Sequence, residues 1–101
     1  MLIHLQAAGT SLVLDARGPR PPVIVHWGAT LGEMSGGDLA LLADAAVPAV
    51  PPSSLDQPVR PTLLPVVADG WTGRPGISGI PGGLAFRQTG VARPGPDRVR
   101  V

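Results

Sequence analysis

Apolar and polar positions alternate most regularly near the amino end. Leu2, Ile3 and Leu5 form a short apolar run, with His4 and Gln6 set into it, that ends at Gly9. Ser11-Leu12-Val13-Leu14-Asp15-Ala16-Arg17 then alternates polar and apolar as far as Arg17. Two runs of period two around a glycine predict a β-hairpin. Gly18-Pro19-Arg20-Pro21-Pro22 interrupts pairing, because proline has no backbone N–H to give to a ladder. Val23-Ile24-Val25-His26-Trp27 resumes with β-branched residues and predicts a third strand, buried on both faces near Ile24.

Residues 28–37 hold four glycines in ten positions, which is loop composition. Ser35 is placed to accept from the amide near Asp38, and Leu39, Leu41, Leu42 and Ala46 recur at near-helical spacing until Pro48. One short helix is expected over 38–46. Residues 47–65 contain six prolines, too many for a regular element, and suit an extended segment laid across another surface with Leu55, Val59, Leu63 and Leu64 as anchors. Asp69 to Gly79 reads as a glycine-rich loop carrying one large aromatic, Trp71, and one cation, Arg74. Leu84-Ala85-Phe86-Arg87-Gln88 is a candidate strand, and Arg98-Val99-Arg100-Val101 alternates like the start of another. The fold expected is mainly β: a partial β-sandwich with one short helix and a long Pro/Gly-rich segment. So few strands leave sheet edges uncovered, so residues 1–101 are expected to be an incomplete domain.

At 101 residues the chain has room for one small domain and little room for an enclosed cleft. Hydrophobic residues at 44% against charged residues at 15% exclude the profile of a disordered segment. All eight basic residues are Arg and the net charge is only +1, so neither a nucleic acid nor an anionic membrane is expected as a partner. The absence of Cys excludes disulfides, thiolate metal sites and cysteine nucleophiles, and fits a reducing compartment. Residues 1–9 lack the basic and apolar regions of a secretory signal, and no apolar run reaches the roughly 18 residues of a membrane span. A cytoplasmic location is the expectation.

Candidate chemistry narrows by elimination. His4 and His26 lie within apolar strand patterns, with no carboxylate at ligand spacing, and are expected to be satisfied strand histidines rather than metal ligands. Gly76-Ile77-Ser78-Gly79 does not have the spacing of a nucleophile elbow, and residues 73–83 fit neither the Rossmann nor the P-loop pattern. Turn chemistry accounts for those glycines. Asp15, Glu33, Asp38, Asp44, Asp56, Asp69 and Asp97 are scattered over strands, caps and loops, and none forms a recognisable catalytic pair. No catalytic residue, metal or cofactor is therefore assigned. Trp27, at a strand end, is expected to be a packing anchor.

Four segments in order carry a resemblance: Ser11-Leu12-Val13-Leu14-Asp15; Val25-His26-Trp27-Gly28-Ala29 with Leu31-Gly32; Pro52-Ser53-Ser54-Leu55-Asp56; and Gly70-Trp71-Thr72-Gly73-Arg74-Pro75-Gly76-Ile77-Ser78-Gly79. Together they are similar to the opening of actinobacterial α-galactosidases of glycoside hydrolase family 36. The resemblance implies the amino-terminal, supersandwich-like domain of a retaining enzyme that hydrolyses terminal α-galactosides. The catalytic aspartates of such an enzyme lie in a (β/α)₈ barrel outside this sequence, and a carboxy-terminal β domain follows the barrel. It further implies a homo-oligomer in which a loop of this domain reaches a neighbouring subunit's active site. By chain order that loop is Asp69 to Gly79, with Arg74 as a donor to sugar hydroxyls and Trp71 as a stacking face for galactose. The chain departs from the family pattern at Ile80-Pro81, where many relatives carry a His-Arg pair. Two other readings stay open for the loop and the chain. Trp71 would fill a gap in the sandwich with Arg74 simply solvated, and the whole would be a stand-alone carbohydrate-binding or scaffolding module, or the product of a truncated reading frame.

Overall fold

The chain's computed structural model describes residues 1–50, 52, 58–79, 84–96 and 98–101. The elements run β1 (Leu2–Ala7), β2 (Thr10–Asp15), β3 (Val23–Ala29), α1 (Gly36–Ala45), a 3₁₀ turn (Val67–Asp69), β4 (Ala92–Gly95) and β5 (Arg98–Arg100). The protein is mainly β. An antiparallel sheet of order β1-β2-β3 and a β4-β5 ribbon, with one short helix, make a partial β-sandwich.

The hairpin predicted at the amino end is present, with Ile3 opposite Leu14 and Leu5 opposite Leu12. Its two-residue connection, Ala8-Gly9, has positive φ at both positions (49° and 76°), the sense that matches strand twist. Period two puts Ile3, Leu5, Leu12 and Leu14 on one face, and this face is the core: Ile3 and Leu14 are buried, with Leu5, Leu12, Ile24, Val91 and Val99 packed around them. Val91 and Val99 flank and belong to the β4-β5 ribbon, so that ribbon supplies the second layer. Helix α1 packs beside β1 and buries Leu39 and Ala43.

The third strand forms, but the strand buried on both faces is β2, not β3. Val13 and Leu14 point to opposite faces of β2 and are 0% and 2% exposed, whereas Ile24 is only half-buried. The reason is strand order: β2 is central and β3 lies at an edge. A bulge between the Val13–His26 and Leu14–Ile24 pairs leaves Val25 extra on β3 and resets the phase of the strand. Trp27 ends 73% exposed, so it is not a packing anchor.

The helix starts two residues before the expected boundary. The Ser35 hydroxyl accepts from the Asp38 amide (3.2 Å) and the Asp38 carboxylate accepts from the Ser35 amide (3.0 Å), a reciprocal cap. Since a capping serine bonds the third helical residue, the first is Gly36 and not Asp38.

Among its described residues, the proline-rich segment is extended around Thr62 and lies there along the outer edge of β3, as expected. Thr62 bridges Val23, with Ile24 N–H donating to Pro61 O (2.7 Å) and Leu63 N–H to Pro22 O (2.9 Å). Its anchors differ from those expected. Thr62 and Val66 are buried and Leu64 half-buried, while Val59 and Leu63 are exposed; Leu55 lies outside the described residues. An extended chain alternates its side chains, and the bridge at Thr62 turns the even positions inward.

Residues 84–88 do not form the expected strand. They run irregularly to Gln88, whose amide donates to Pro19 O (2.9 Å) and whose side chain donates to Ala16 O (3.1 Å) and to Gly18 O. The alternation at Arg98 does begin a strand, β5, but its partner is β4, which contains Pro94. A two-stranded ribbon has free edges, so a residue without an N–H is tolerated there.

Candidate functional site

Two neighbouring features gather the chain's polar chemistry: the Asp69 to Gly79 loop and a cleft that shares Asp69 with it. The loop begins where the 3₁₀ turn ends at Gly70, whose φ of 83° is left-handed and whose N–H donates to Val67 O (2.9 Å). The half-buried Trp71 donates its indole N–H to the Arg74 carbonyl (3.1 Å), folding the ring back on its own loop. Gly73 is needed beneath it, because a Cβ there would stand 2.9 Å from the indole nitrogen. Gly76 N–H donates to Pro65 O (2.8 Å), and a Cβ at Gly76 would come within 2.7 Å of the Leu64 side chain. The glycines thus serve turns and close approach.

The structure brings Trp71 and Arg74 together through a hydrogen bond from the indole to the Arg74 carbonyl. The indole donor is used within the loop, which leaves only ring surface for a ligand. Arg74 is exposed, and its guanidinium has no partner among the described residues. A planar fork of five donors is therefore free at the tip.

The cleft has a volume of about 360 Å³ and lies between the end of β2, the 18–21 turn and the Pro58 to Thr62 edge segment. Asp15 forms one wall, with its side chain only 6% exposed. It accepts from the Arg17 amide (3.0 Å) and from Arg17 Nε and Nη2 (3.0 Å each), with Arg60 Nη2 at 3.4 Å. Arg17 Nη2 also reaches Asp44 on α1 (2.8 Å), tying the helix to the sheet. The Arg17 hydrogen bonds hold the Asp15 carboxyl below the ordinary carboxylate value, against the opposing effect of burial, and Asp15 in turn raises Arg17. So anchored, Asp15 stays an anion and is no proton donor.

Across the cleft, Arg20 Nε stands 3.4 Å from Asp69 Oδ1. The Asp69 side chain is 13% exposed, and its Oδ2 is buried with no hydrogen-bond partner among the described residues. Sequence reasoning treated Asp15 and Asp69 as scattered. The fold places both on one cleft, each beside an arginine. Asp56 and Asp97 lie outside the described residues.

Both histidines are satisfied as expected: His4 Nε2 pairs with the Ser11 hydroxyl (2.9 Å) and His26 Nε2 with Ala29 O (3.0 Å). Among the described residues no three metal-ligating groups come together, and no helix is long and apolar enough to cross a membrane. No family model, curated protein or solved structure matches the chain.

Proposed function

We propose that this chain is the amino-terminal supporting part of a retaining α-galactosidase, inactive by itself, that presents its Trp71–Arg74 loop to a terminal α-galactoside bound elsewhere in an oligomeric enzyme. The observation that carries the reading is the order of the four sequence segments, the last of which is this loop. Its geometry is compatible with the role. Trp71 is fastened to the loop backbone, and Arg74 is left exposed with a free guanidinium. A fork of donors on such a loop suits sugar hydroxyls, and the backbone beneath it is already ordered, so binding has only the side chain left to order. Chemistry is assigned to no residue here. Reading the coding DNA beyond Val101 is the direct test: a barrel with paired aspartates is expected, and a stop codon there would overturn the reading.

A second reading, a stand-alone carbohydrate-binding module, is favoured by one observation: Trp27 is 73% exposed on an edge strand, where an indole face is open to a sugar ring. It predicts that the isolated chain binds galactomannan and that Trp27→Ala abolishes the binding. The supporting-domain reading predicts no such retention.

A further inference from the structure

We infer that the cleft between the end of β2, the 18–21 turn and the Pro58 to Thr62 segment is a binding site for a neutral polyhydroxylated ligand of about monosaccharide size. Three observations converge on that class. The first is unused hydrogen-bonding capacity of both kinds on one concave surface. Arg60 is engaged only through Nη2 and Arg20 only through Nε, each at 3.4 Å, so most of their donors have no partner among the described residues. Asp69 lines the cleft and is engaged there only through Oδ1, 3.4 Å from Arg20 Nε, so its carboxylate keeps acceptor capacity at that wall. A hydroxyl both donates and accepts, so a polyol answers both needs.

The second observation is charge. Among the lining residues, Arg20 and Arg60 are matched by Asp69 and Asp15 through the ion pairs described above, so the cleft carries no net charge to select an anion or a cation. The third is shape. A volume of about 360 Å³ sits near the lower end of ligand pockets, roughly 300–1,000 Å³, and Pro19, Pro21 and Pro58 give it stiff apolar walls against which the C–H face of a ring can lie. The walls are pre-formed, because the segment that carries Arg60 is pinned to β3 by the Ile24–Pro61 and Leu63–Pro22 hydrogen bonds. The cleft shares Asp69 with the loop but is lined by neither Trp71, Arg74 nor Trp27, and the inference does not rest on either reading of function.

The test is titration of the full 101-residue chain with D-galactose, followed by backbone amide NMR shifts, beside parallel titrations with inorganic phosphate and with acetate. The expected result is saturable galactose-dependent shifts centred on Val23, Thr62 and Asp69. They should weaken at least tenfold in Arg60→Gln and in Asp69→Asn, and remain unchanged in Leu41→Ala, at an exposed position of α1. Arg20→Ala, at a half-exposed side chain, serves as a variant that keeps the fold if Arg60→Gln does not, and should also weaken binding. No shift in the cleft up to tens of millimolar sugar overturns the proposal. So do saturation by phosphate or acetate in place of galactose, which would mark an anion site, and galactose shifts confined to Trp27 or Trp71.

Discussion

The sheet-and-helix region, residues 1–45, and the Pro/Gly-rich region from 58 onward are built on different physical terms. In the first, neighbours in sequence are neighbours in space: β1 pairs β2, β2 pairs β3, and α1 returns to β1. Its core residues Ile3 and Leu14 face each other directly across the hairpin. The second region has little regular structure of its own among its described residues and borrows its order. It is held through Thr62 at β3, through Gln88 at the 16–19 turn, and through Val91 and Val99 on the core of the first sheet. Order in the second region therefore depends on the first, while the first depends on the second only for cover. The polar cleft and the Arg74 loop both belong to this borrowed region or to its seam with the sheet, where side chains are placed without having to fill a core.

The strongest way to break this asymmetry is Leu14→Ala. Removing a side chain that is 2% exposed at the centre of β2 should cost about 2–5 kcal/mol and unfold both regions together in a urea titration. Leu63→Ala, at 43% exposure in the edge segment, should change stability by less than about 0.5 kcal/mol. Equal effects of the two substitutions would show that the proline segment carries its own core.

The next effect in size concerns the seam. Asp15 has its carboxyl pKa lowered by the Arg17 hydrogen bonds, so the stability it contributes is present above the unfolded carboxyl value and is lost as pH falls through the folded value. The melting temperature should accordingly fall on acidification below about pH 4, near the ordinary carboxylate value. Asp15→Asn should cost roughly 1–3 kcal/mol at neutral pH and flatten that acid dependence. An acid profile identical in wild type and Asp15→Asn would move the linkage to another carboxyl, such as Asp38 in the helix cap, which is lowered by its Ser35 hydrogen bonds.

A smaller and opposite effect is expected at the hairpin turn. Ala8 holds φ of 49°, a left-handed conformation that costs an L-residue with a plain methyl side chain about 1–2 kcal/mol. Ala8→Asn, whose short polar side chain tolerates this region, should raise stability by up to about 1 kcal/mol without moving the cleft. Loss of stability on this change would mean that the turn relaxes out of the left-handed region in solution.

Legibility followed the same division. The hairpin, the Ser35–Asp38 cap and the turn role of Gly70 depend on residues within a few positions of each other, and alternation or capping pattern reveals them. Which strand is central depends on the pairing order, and Val23-Ile24-Val25 looks more like a buried strand than an edge one until β2 is known to lie between. The inward phase of Thr62, Leu64 and Val66 is set by a single bridge to Val23, which a run of prolines does not announce. β4 was hidden by Pro94, a residue that argues against a strand except on a free edge. Asp15 and Asp69 meet on one cleft because the chain passes around β3 between them. Neither local spacing nor composition contains that fact. For the loop, sequence marks Trp71 and Arg74 as its two large side chains, while the bond from the indole to the Arg74 carbonyl and the need for Gly73 depend on how the loop folds back on itself.

The finest test sets two residues of that loop against each other, one that displays and one that supports. Arg74→Ala removes an exposed guanidinium with no partner among the described residues, so the melting temperature of the chain should stay within measurement error. Gly73→Ala places a Cβ 2.9 Å from the Trp71 indole nitrogen and must displace the ring or open its bond to Arg74 O. It should lower stability modestly and shift Trp71 fluorescence, although it removes no functional group. Under the proposed function, the order reverses in the full-length enzyme. Arg74→Ala should lower kcat/KM by about 1.5–3 kcal/mol of transition-state binding, the worth of a charged donor on a sugar hydroxyl, while Gly73→Ala acts only as far as it misplaces that donor. Kinetics unchanged by Arg74→Ala, with Gly73→Ala still destabilising, would leave the loop a structural closure of the borrowed region and remove its role at the sugar.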